Sequence, residues 1–150
     1  MTMRDLMTRD ARAIDPQTTV REAAKIMKSD KVGMLPVVNA EEIPVGVITD
    51  RDIALYGYAS GLPSDAPVRD AMTRGVVTIS ETKTLEDALV LMEAQQVRRL
   101  VVCDDLGKLV GVFSVVDATM ICNGDGRVTN LVRALASRNG RILNLSIEYS

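Results

Sequence analysis

The sequence has no histidine and no tryptophan, and its aromatic side chains are one phenylalanine and three tyrosines. The lack of histidine excludes a Ser-His-Asp triad, a Cys-His pair and every histidine-ligated metal site. The two cysteines, Cys103 and Cys122, cannot supply the four thiolates of a zinc or iron–sulfur site within one chain. The few aromatic rings also argue against a surface that stacks nucleic-acid bases. An enzyme would have only carboxylates, lysine, tyrosine or a lone thiol for its chemistry.

An excess of charge and a long apolar run are also missing. The 18 basic and 20 acidic residues give a formal net charge of −2, which favours neither nucleic acid nor acidic lipid as a partner. The longest uncharged run, 53–64, is far shorter than the about 20 apolar residues of a membrane span. The amino terminus lacks the apolar stretch of a signal peptide. We therefore expect a cytoplasmic protein with two free thiols and no membrane or nucleic-acid partner.

The chain contains an internal repeat, which aligns without a gap when Asp5 is placed on Asp70. Identical residues then recur at more than a dozen aligned positions. The segment Asp5-Leu-Met-Thr-Arg9 falls on Asp70-Ala-Met-Thr-Arg74, and Gly46 falls on Gly111. A match of this length indicates a duplication.

Each copy predicts the same order of elements, strand–helix–strand–strand–helix. A short extended segment leads to a capping box at Thr19 or Thr84 and then to an amphipathic helix. Two short apolar runs around a polar turn predict a hairpin, and a second helix is expected from about Asp50 and about Val115. The helix stripes are Val20, Ala23, Ala24 and Met27 in the first copy and Leu85, Ala88, Leu89 and Met92 in the second. The hairpin strands are 34–38 with 45–49, and 100–103 with 109–114.

These patterns predict an α+β fold of two β-α-β-β-α repeats that share a core, followed by a C-terminal helix and strand. We assign a first repeat at 1–58, a linker at 59–68, a second repeat at 69–123 and an extension at 124–150. In the extension, Asp125 is a candidate helix cap for the stripe Val128, Leu131, Val132 and Leu135. Gly140 is a candidate stop, and 143–149 alternates like a half-buried strand. The extension either covers a domain edge or is a docking or dimer-forming element.

A hydroxyl residue and a carboxylate stand three positions apart where each hairpin ends, Thr49 with Asp52 and Ser114 with Asp117. On the first turn of a helix these side chains share a face, beside backbone N–H groups that suit an anion. A carboxylate in that position suits the hydroxyls of a ribose, and the glycine before the strand end allows a close backbone approach. The same spacing is also that of a plain helix cap, so a ligand site and a cap both remain open interpretations.

With these motifs, the chain resembles a tandem pair of cystathionine-β-synthase (CBS) domains, the arrangement called a Bateman module. The resemblance covers about residues 3 to 122. It rests on the Asp-x-Met-Thr segments at Asp5 and Asp70, the helix–hairpin order, and the Gly-x-x-Thr/Ser-x-x-Asp endings at 46–52 and 111–117. It implies two repeats packed about a pseudo-two-fold axis, an adenosine-containing ligand in clefts between them, and a homodimer formed through the helices.

The resemblance also implies a set of ligand-binding residues. They are Ile14, Thr49, Arg51, Asp52, Thr78, Ile79, Arg98, Arg99, Ser114 and Asp117. The aspartates would hold ribose hydroxyls, the hydroxyl residues would help to hold ribose or phosphate, and the extended segments would line the adenine. The arginine pair stands where the family often places a basic residue near the phosphates, whereas the first copy has Gly33 and Met34 there. Two sites of unequal charge and affinity follow, although Arg99 is equally compatible with a plain surface residue.

The predicted function is a non-catalytic regulatory module that binds AMP, ADP or ATP, or else S-adenosylmethionine, and signals energy or metabolite state to a separate partner protein. No cofactor or metal is required for this function. The alternative is an interaction or dimerisation module with a vestigial pocket, in which the strand at 143–149 adds to a partner's sheet. A nucleotide-using enzyme has little support: carboxylates such as Asp50 could hold magnesium, but the sequence has no Walker-type loop and no base–nucleophile pair.

Overall fold

The computed structural model describes residues 1–9 and 12–138, and it contains the predicted helices and hairpins of both repeats. The elements are α1 (Met3–Leu6), α2 (Val20–Asp30), β1 (Met34–Val38), β2 (Pro44–Thr49), α3 (Asp50–Asp52), β3 (Thr78–Ser80), α4 (Leu85–Gln95), β4 (Arg99–Cys103), β5 (Leu109–Ser114), α5 (Val115–Cys122) and α6 (Gly126–Arg138). Helix α3 continues as a π-helix at Ile53–Tyr58, and a 3₁₀ turn covers Val68–Asp70. The mixture of helices and small sheets confirms the predicted α+β class.

The long helix of each repeat begins at a predicted capping box. In α2, the backbone N–H of Glu22 donates to Thr19 Oγ1 and the N–H of Thr19 donates to Glu22 Oε2, both at 3.1 Å. Thr84 and Asp87 make the same pair of bonds at the start of α4, at 3.1 and 3.2 Å. The bond from the Thr84 N–H lowers the pKa of Asp87. Each cap contributes about 1 kcal/mol to the stability of its helix.

The predicted apolar stripes face the interior. Three of the four residues in α2 and all four in α4 are buried, while Ala24 is partly buried. Ile48 and Phe113, which occupy equivalent positions in β2 and β5, are both fully buried. Local periodicity therefore located the core-facing side of each repeat.

The chain divides into two compact units, whose limits differ from those of the repeats. Of the described residues, the first unit comprises those of Arg9–Val76 and Cys103–Val110, and the second unit comprises Met1–Thr8, Val77–Val102 and 111–138. Each unit thus takes in the Asp-x-Met-Thr segment that precedes the other copy. The first unit contains the segment at Asp70, and the second unit contains the segment at Asp5.

These segments pair with the second strand of each hairpin. In the first unit, Thr73 and Val47 exchange two backbone hydrogen bonds, of 2.9 and 3.0 Å. In the second unit, Thr8 and Val112 do the same, at 2.9 and 3.1 Å. In the first unit, β1 and β2 are antiparallel and Ile14 adds a parallel bridge to Val37; the sheet order in the second repeat is β3-β4-β5.

The glycine in each ending makes room for this pairing. A Cβ on Gly46 would lie 2.9 Å from the Thr73 carbonyl oxygen, and one on Gly111 would lie 2.8 Å from the Thr8 carbonyl oxygen. Both distances are too short for a real Cβ, and the neighbouring atom is backbone that cannot swing away. The close approach predicted at this glycine is therefore made by the protein's own backbone.

Helix α6 lies where the sequence predicts it and packs against α4 and α5. Asp125 Oδ1 accepts the N–H of Arg127 at 3.0 Å, and Val128, Leu131 and Leu135 are buried. Val132, the remaining residue of the predicted stripe, is instead 37% exposed. The predicted stop at Gly140 and strand at 143–149 lie outside the described residues. Within those residues, no helix combines the length and apolar character needed to cross a bilayer.

Candidate functional site

The first hydroxyl–carboxylate motif lies at the junction of β2 and α3. The N–H of Thr49 donates to Asp52 Oδ2 and the N–H of Asp52 donates to Thr49 Oγ1, both at 3.0 Å. Asp52 is only 5% exposed, which is unusual for a charged side chain. A second donor to this carboxylate, the Thr73 hydroxyl, lies 3.2 Å from Asp52 Oδ1. This carboxylate is therefore nearly buried and has protein donors on both oxygens.

The second motif has the same cap in a more open setting. The N–H of Ser114 donates to Asp117 Oδ2 at 2.9 Å, and the N–H of Asp117 donates to Ser114 Oγ at 3.1 Å. Asp117 is partly buried. Across residues 1–9 and 12–138, no donor reaches Oδ1 of Asp117. One oxygen of this carboxylate thus remains available to a ligand.

Both motifs are helix caps, as one of the two interpretations predicted. A cap does not prevent a second role, because a carboxylate has about four lone-pair sites and the cap uses one of them. The cap also orients the carboxylate rigidly at the end of a strand, which is what a hydroxyl-binding acceptor needs.

The extended segments that precede each helix are largely occupied by sheet contacts. Ile14 is buried; its N–H donates to Pro36 O at 3.0 Å and its carbonyl accepts the N–H of Val38 at 2.9 Å. A cavity of about 490 Å³ borders Ile14 and is lined on the α2 side by Glu22, Lys25 and Ile26. Thr49, Arg51 and Asp52 do not line this cavity. In the second repeat, Ile79 is buried and Thr78 is exposed.

The candidate arginines are all exposed. Arg51 follows Asp50, whose Oδ1 accepts the Arg51 N–H at 2.8 Å. Arg98 and Arg99 form no ion pair with any described residue. The Arg98 carbonyl accepts the N–H of Val115 at 2.9 Å, so its backbone lies against the first residue of α5. The arginine pair is thereby placed next to the Ser114–Asp117 motif.

The sequence did not identify Thr73 as a residue of this site. Its segment was identified as a repeated feature, but nothing in the spacing assigned its hydroxyl to Asp52.

Elsewhere, a second cavity of about 380 Å³ lies between α5 and α6, and it includes Cys122, whose pKa is raised by burial. Burial also raises the pKa of Cys103. No group of three or more potential metal ligands occurs among the described residues.

Known proteins are similar to this chain in sequence and in fold. The family model for the CBS domain matches residues 3–58 and 68–132. The CBS domain-containing protein YhcV of Bacillus subtilis (strain 168) is 38% identical over 115 residues, which are 77% of this chain and 81% of that protein.

The similar solved structures include complexes with adenosine compounds. The structure of CBSX2 in complex with AMP has a TM-score of 0.71 at 27% identity and covers 81% of this chain and 96% of its own. The CBS domain pair of protein MJ0100 was solved in complex with 5′-methylthioadenosine and S-adenosyl-L-methionine. It has a TM-score of 0.71 at 25% identity, and the match covers 83% of this chain and 97% of the MJ0100 chain. Since the family model spans both repeats, the chain belongs to the CBS domain family and carries two CBS repeats in tandem.

Proposed function

We propose that this protein is a non-catalytic regulatory module that binds an adenosine-containing ligand, AMP, ADP or ATP first and S-adenosylmethionine second. Binding stabilises one arrangement of the module, and a separate partner protein responds to that arrangement. The ligand-binding residues proposed are the ten that the resemblance implies.

One observation carries the proposal: the same capped carboxylate stands at the strand–helix junction of both repeats. At Asp117, one oxygen has no protein donor among the described residues, as an acceptor for a ribose hydroxyl requires. The adenosine compounds in the CBSX2 and MJ0100 complexes support the same ligand class. The motifs offer a hydroxyl and a carboxylate but no base–nucleophile pair, which favours binding over catalysis.

A thermal-shift panel with AMP, ADP, ATP, NADH and S-adenosylmethionine tests this function. At a ligand concentration 100 times Kd, binding adds about 2.7 kcal/mol, which raises Tm by roughly 5–10 °C in a chain of this size. We expect at least one adenosine compound to give such a shift, and Asp52→Ala or Asp117→Ala to remove it.

GMP is the matched nucleotide control, and Asp65→Ala, a change at an exposed linker carboxylate, is the matched variant. A panel in which every adenosine compound leaves Tm unchanged would contradict the proposal. A shift that GMP and AMP share equally would contradict recognition of adenine.

A second role, as a dimerisation module, is favoured by exposed apolar side chains. On α5, Val116 is 70% exposed and Met120 is 78% exposed, one helical turn apart. In the first unit, Tyr58 at the end of the π-helix is 90% exposed. We propose that a second copy of this chain covers such surfaces, since a homodimer would bury apolar area now in contact with water.

A further inference from the structure

The cavity between α5 and α6 lies apart from the two hydroxyl–carboxylate motifs. Its volume of about 380 Å³ is within the range of small-molecule sites in proteins. Two residues of α5 and four of α6 form most of its wall: Thr119, Cys122, Val128, Thr129, Val132 and Arg133. None of the ten residues proposed for the adenosine ligand lines it. The cavity is therefore a separate candidate site, built by elements of the second unit.

Part of the cavity wall is apolar. Val128 is buried, and Val132 is the residue of the predicted α6 stripe that is 37% exposed. Both border the cavity, so this part of the stripe lies against the cavity and not against another helix. Burial raises the pKa of the Cys122 thiol, which keeps the thiol neutral at pH 7 and lets it pack as a small apolar group. An apolar molecule bound there would remove this surface from water.

The two charged residues at the cavity differ in whether they are paired. Arg127 holds Asp125: its Nε and Nη2 donate to Asp125 Oδ2 at 2.9 and 2.6 Å, and its N–H donates to Oδ1 at 3.0 Å. Glu86 of α4 also pairs with Arg127, so both carboxylates have a partner. Arg133 is exposed and forms no ion pair with any residue that the structure describes. The charge that a ligand would meet unpaired is therefore positive.

The cavity is also distinct from the exposed apolar face of α5. Thr119 and Cys122 are three positions apart and share the face of α5 that borders the cavity. Val116 and Met120 lie about 100° further round the helix, and neither lines the cavity. A ligand in the cavity is thus compatible with a second copy of the chain on the outer face.

We infer that the cavity between α5 and α6 binds a small amphipathic carboxylate, with its head group on Arg133 and its hydrocarbon chain against Val128, Val132 and Cys122. A planar guanidinium binds a carboxylate through two parallel hydrogen bonds, which makes arginine well suited to this head group. Arg133 and Val128 are five residues apart, or about 7.5 Å along α6, which favours a short- or medium-chain acid over a long one. The inference is independent of the adenosine ligand.

Isothermal titration of the full chain with sodium octanoate and with 1-octanol tests this site. We expect octanoate to bind with a Kd on the order of 0.1 mM, and 1-octanol about tenfold more weakly, because the alcohol lacks the charge that pairs with Arg133. Arg133→Gln should weaken octanoate binding about tenfold and leave 1-octanol binding unchanged. Arg21→Gln, the matched change at an exposed arginine of α2, should leave both unchanged.

A change in the apolar wall separates the chain of the ligand from its head group. Val132→Ser removes apolar surface at a partly exposed position, so the fold should tolerate it. We expect this variant to bind octanoate and 1-octanol more weakly by the same factor, about threefold or more. A loss for octanoate alone would contradict the placement of the hydrocarbon chain.

Alkylation of the thiols gives a readout at the cavity itself. Iodoacetamide treatment of the wild type, followed by mass spectrometry, reports Cys122 and Cys103 separately. At ten times its Kd, octanoate should slow modification of Cys122 about tenfold, because the ligand covers the thiol. The rate at Cys103, which does not line this cavity, should stay unchanged.

The inference is overturned if octanoate does not bind, or binds Arg133→Gln as tightly as the wild type. Equal protection of both cysteines overturns it too, since that result indicates a general effect on the fold. Loss of octanoate binding in Met120→Lys would move the ligand to the outer face of α5. Binding by Leu145→Asp but not by the wild type would give the cavity to residues 143–149 of this chain. Either result also overturns the inference, and none of these outcomes decides whether an adenosine compound binds.

Discussion

At the scale of single residues, Gly46 and Gly111 are required by a contact and not by their backbone angles. Neither has a positive φ, whereas Gly61, Gly75 and Gly107 do. Each is required because it lacks a Cβ. A Cβ at either position would lie too close to a methionine sulfur and to the carbonyl oxygen of the threonine that follows that methionine. A glycine that looked like a ligand feature in the sequence therefore has a packing reason.

We predict that Gly46→Ala and Gly111→Ala each destabilise the protein by about 1–3 kcal/mol, because the new methyl group forces the paired segment off the strand. The measurement is the urea concentration at the midpoint of unfolding, which should fall while the m-value stays unchanged. Gly126→Ala is the matched control: nothing lies within 4 Å of its Cβ, and in α6 alanine should be neutral or stabilising by up to about 1 kcal/mol. Equal midpoints for Gly46→Ala and Gly126→Ala would contradict this explanation.

At the scale of elements, the N-terminal segment Met1–Thr8 completes the second unit. Met3 is fully buried, and its N–H donates to the Lys83 carbonyl at 2.7 Å. Arg4 pairs with Glu81 at 2.8 Å, which raises the pKa of Arg4. The ion pair is exposed and contributes little, so the buried methionine and the backbone bonds dominate the attachment of this segment.

Met3→Ala should therefore destabilise the protein by about 2–5 kcal/mol, as expected for truncation of a fully buried side chain. Leu106→Ala, at a side chain that is 70% exposed in a turn, should change stability by less than about 0.5 kcal/mol. Chemical denaturation of both variants checks the prediction. A Met3→Ala midpoint equal to that of Leu106→Ala would show that the segment is not part of the cooperative fold.

At the scale of the whole molecule, the exposed apolar residues of α5 bear on assembly. Val116 and Met120 lie on one face of that helix, and Val132 of α6 is partly exposed as well. Isolated exposed apolar residues are common, but a helical stripe of them is typical of an interface.

We expect the wild type to sediment as a dimer at micromolar concentration and Met120→Lys to shift it toward monomer, because a buried, unpaired ammonium disfavours association. Leu106→Lys is the control for an added charge at an equally exposed site in a turn. Analytical ultracentrifugation of the three proteins separates the outcomes. A monomeric wild type, or a Met120→Lys variant as dimeric as wild type, would contradict the dimer proposal.

Features that depend on residues close together in the chain were predictable from the sequence, and features that depend on distant contacts were not. The capping boxes at Thr19 and Thr84, the helix stripes and the hairpins depend on residues within a few positions of one another, so their spacing in the sequence predicts them. The caps at Asp52 and Asp117 were likewise foreseen as one of two interpretations. The exposure of Val132 was not, because it depends on where α4 and α5 lie against α6.

The sequence by itself determined the duplication, the α+β class and the order of elements, since each follows from local periodicity and from repeated motifs. Its motifs also carried the resemblance to the CBS family, which the family model confirms. Only the tertiary structure decided which hairpin each Asp-x-Met-Thr segment joins. It also decided that the Thr73 hydroxyl donates to Asp52, 21 residues away in the chain, while among the described residues the Thr8 hydroxyl makes no hydrogen bond to Asp117. The physical reason is that two nearly identical segments have the same local preferences. Contacts between residues far apart in the chain then make two copies of one motif unequal.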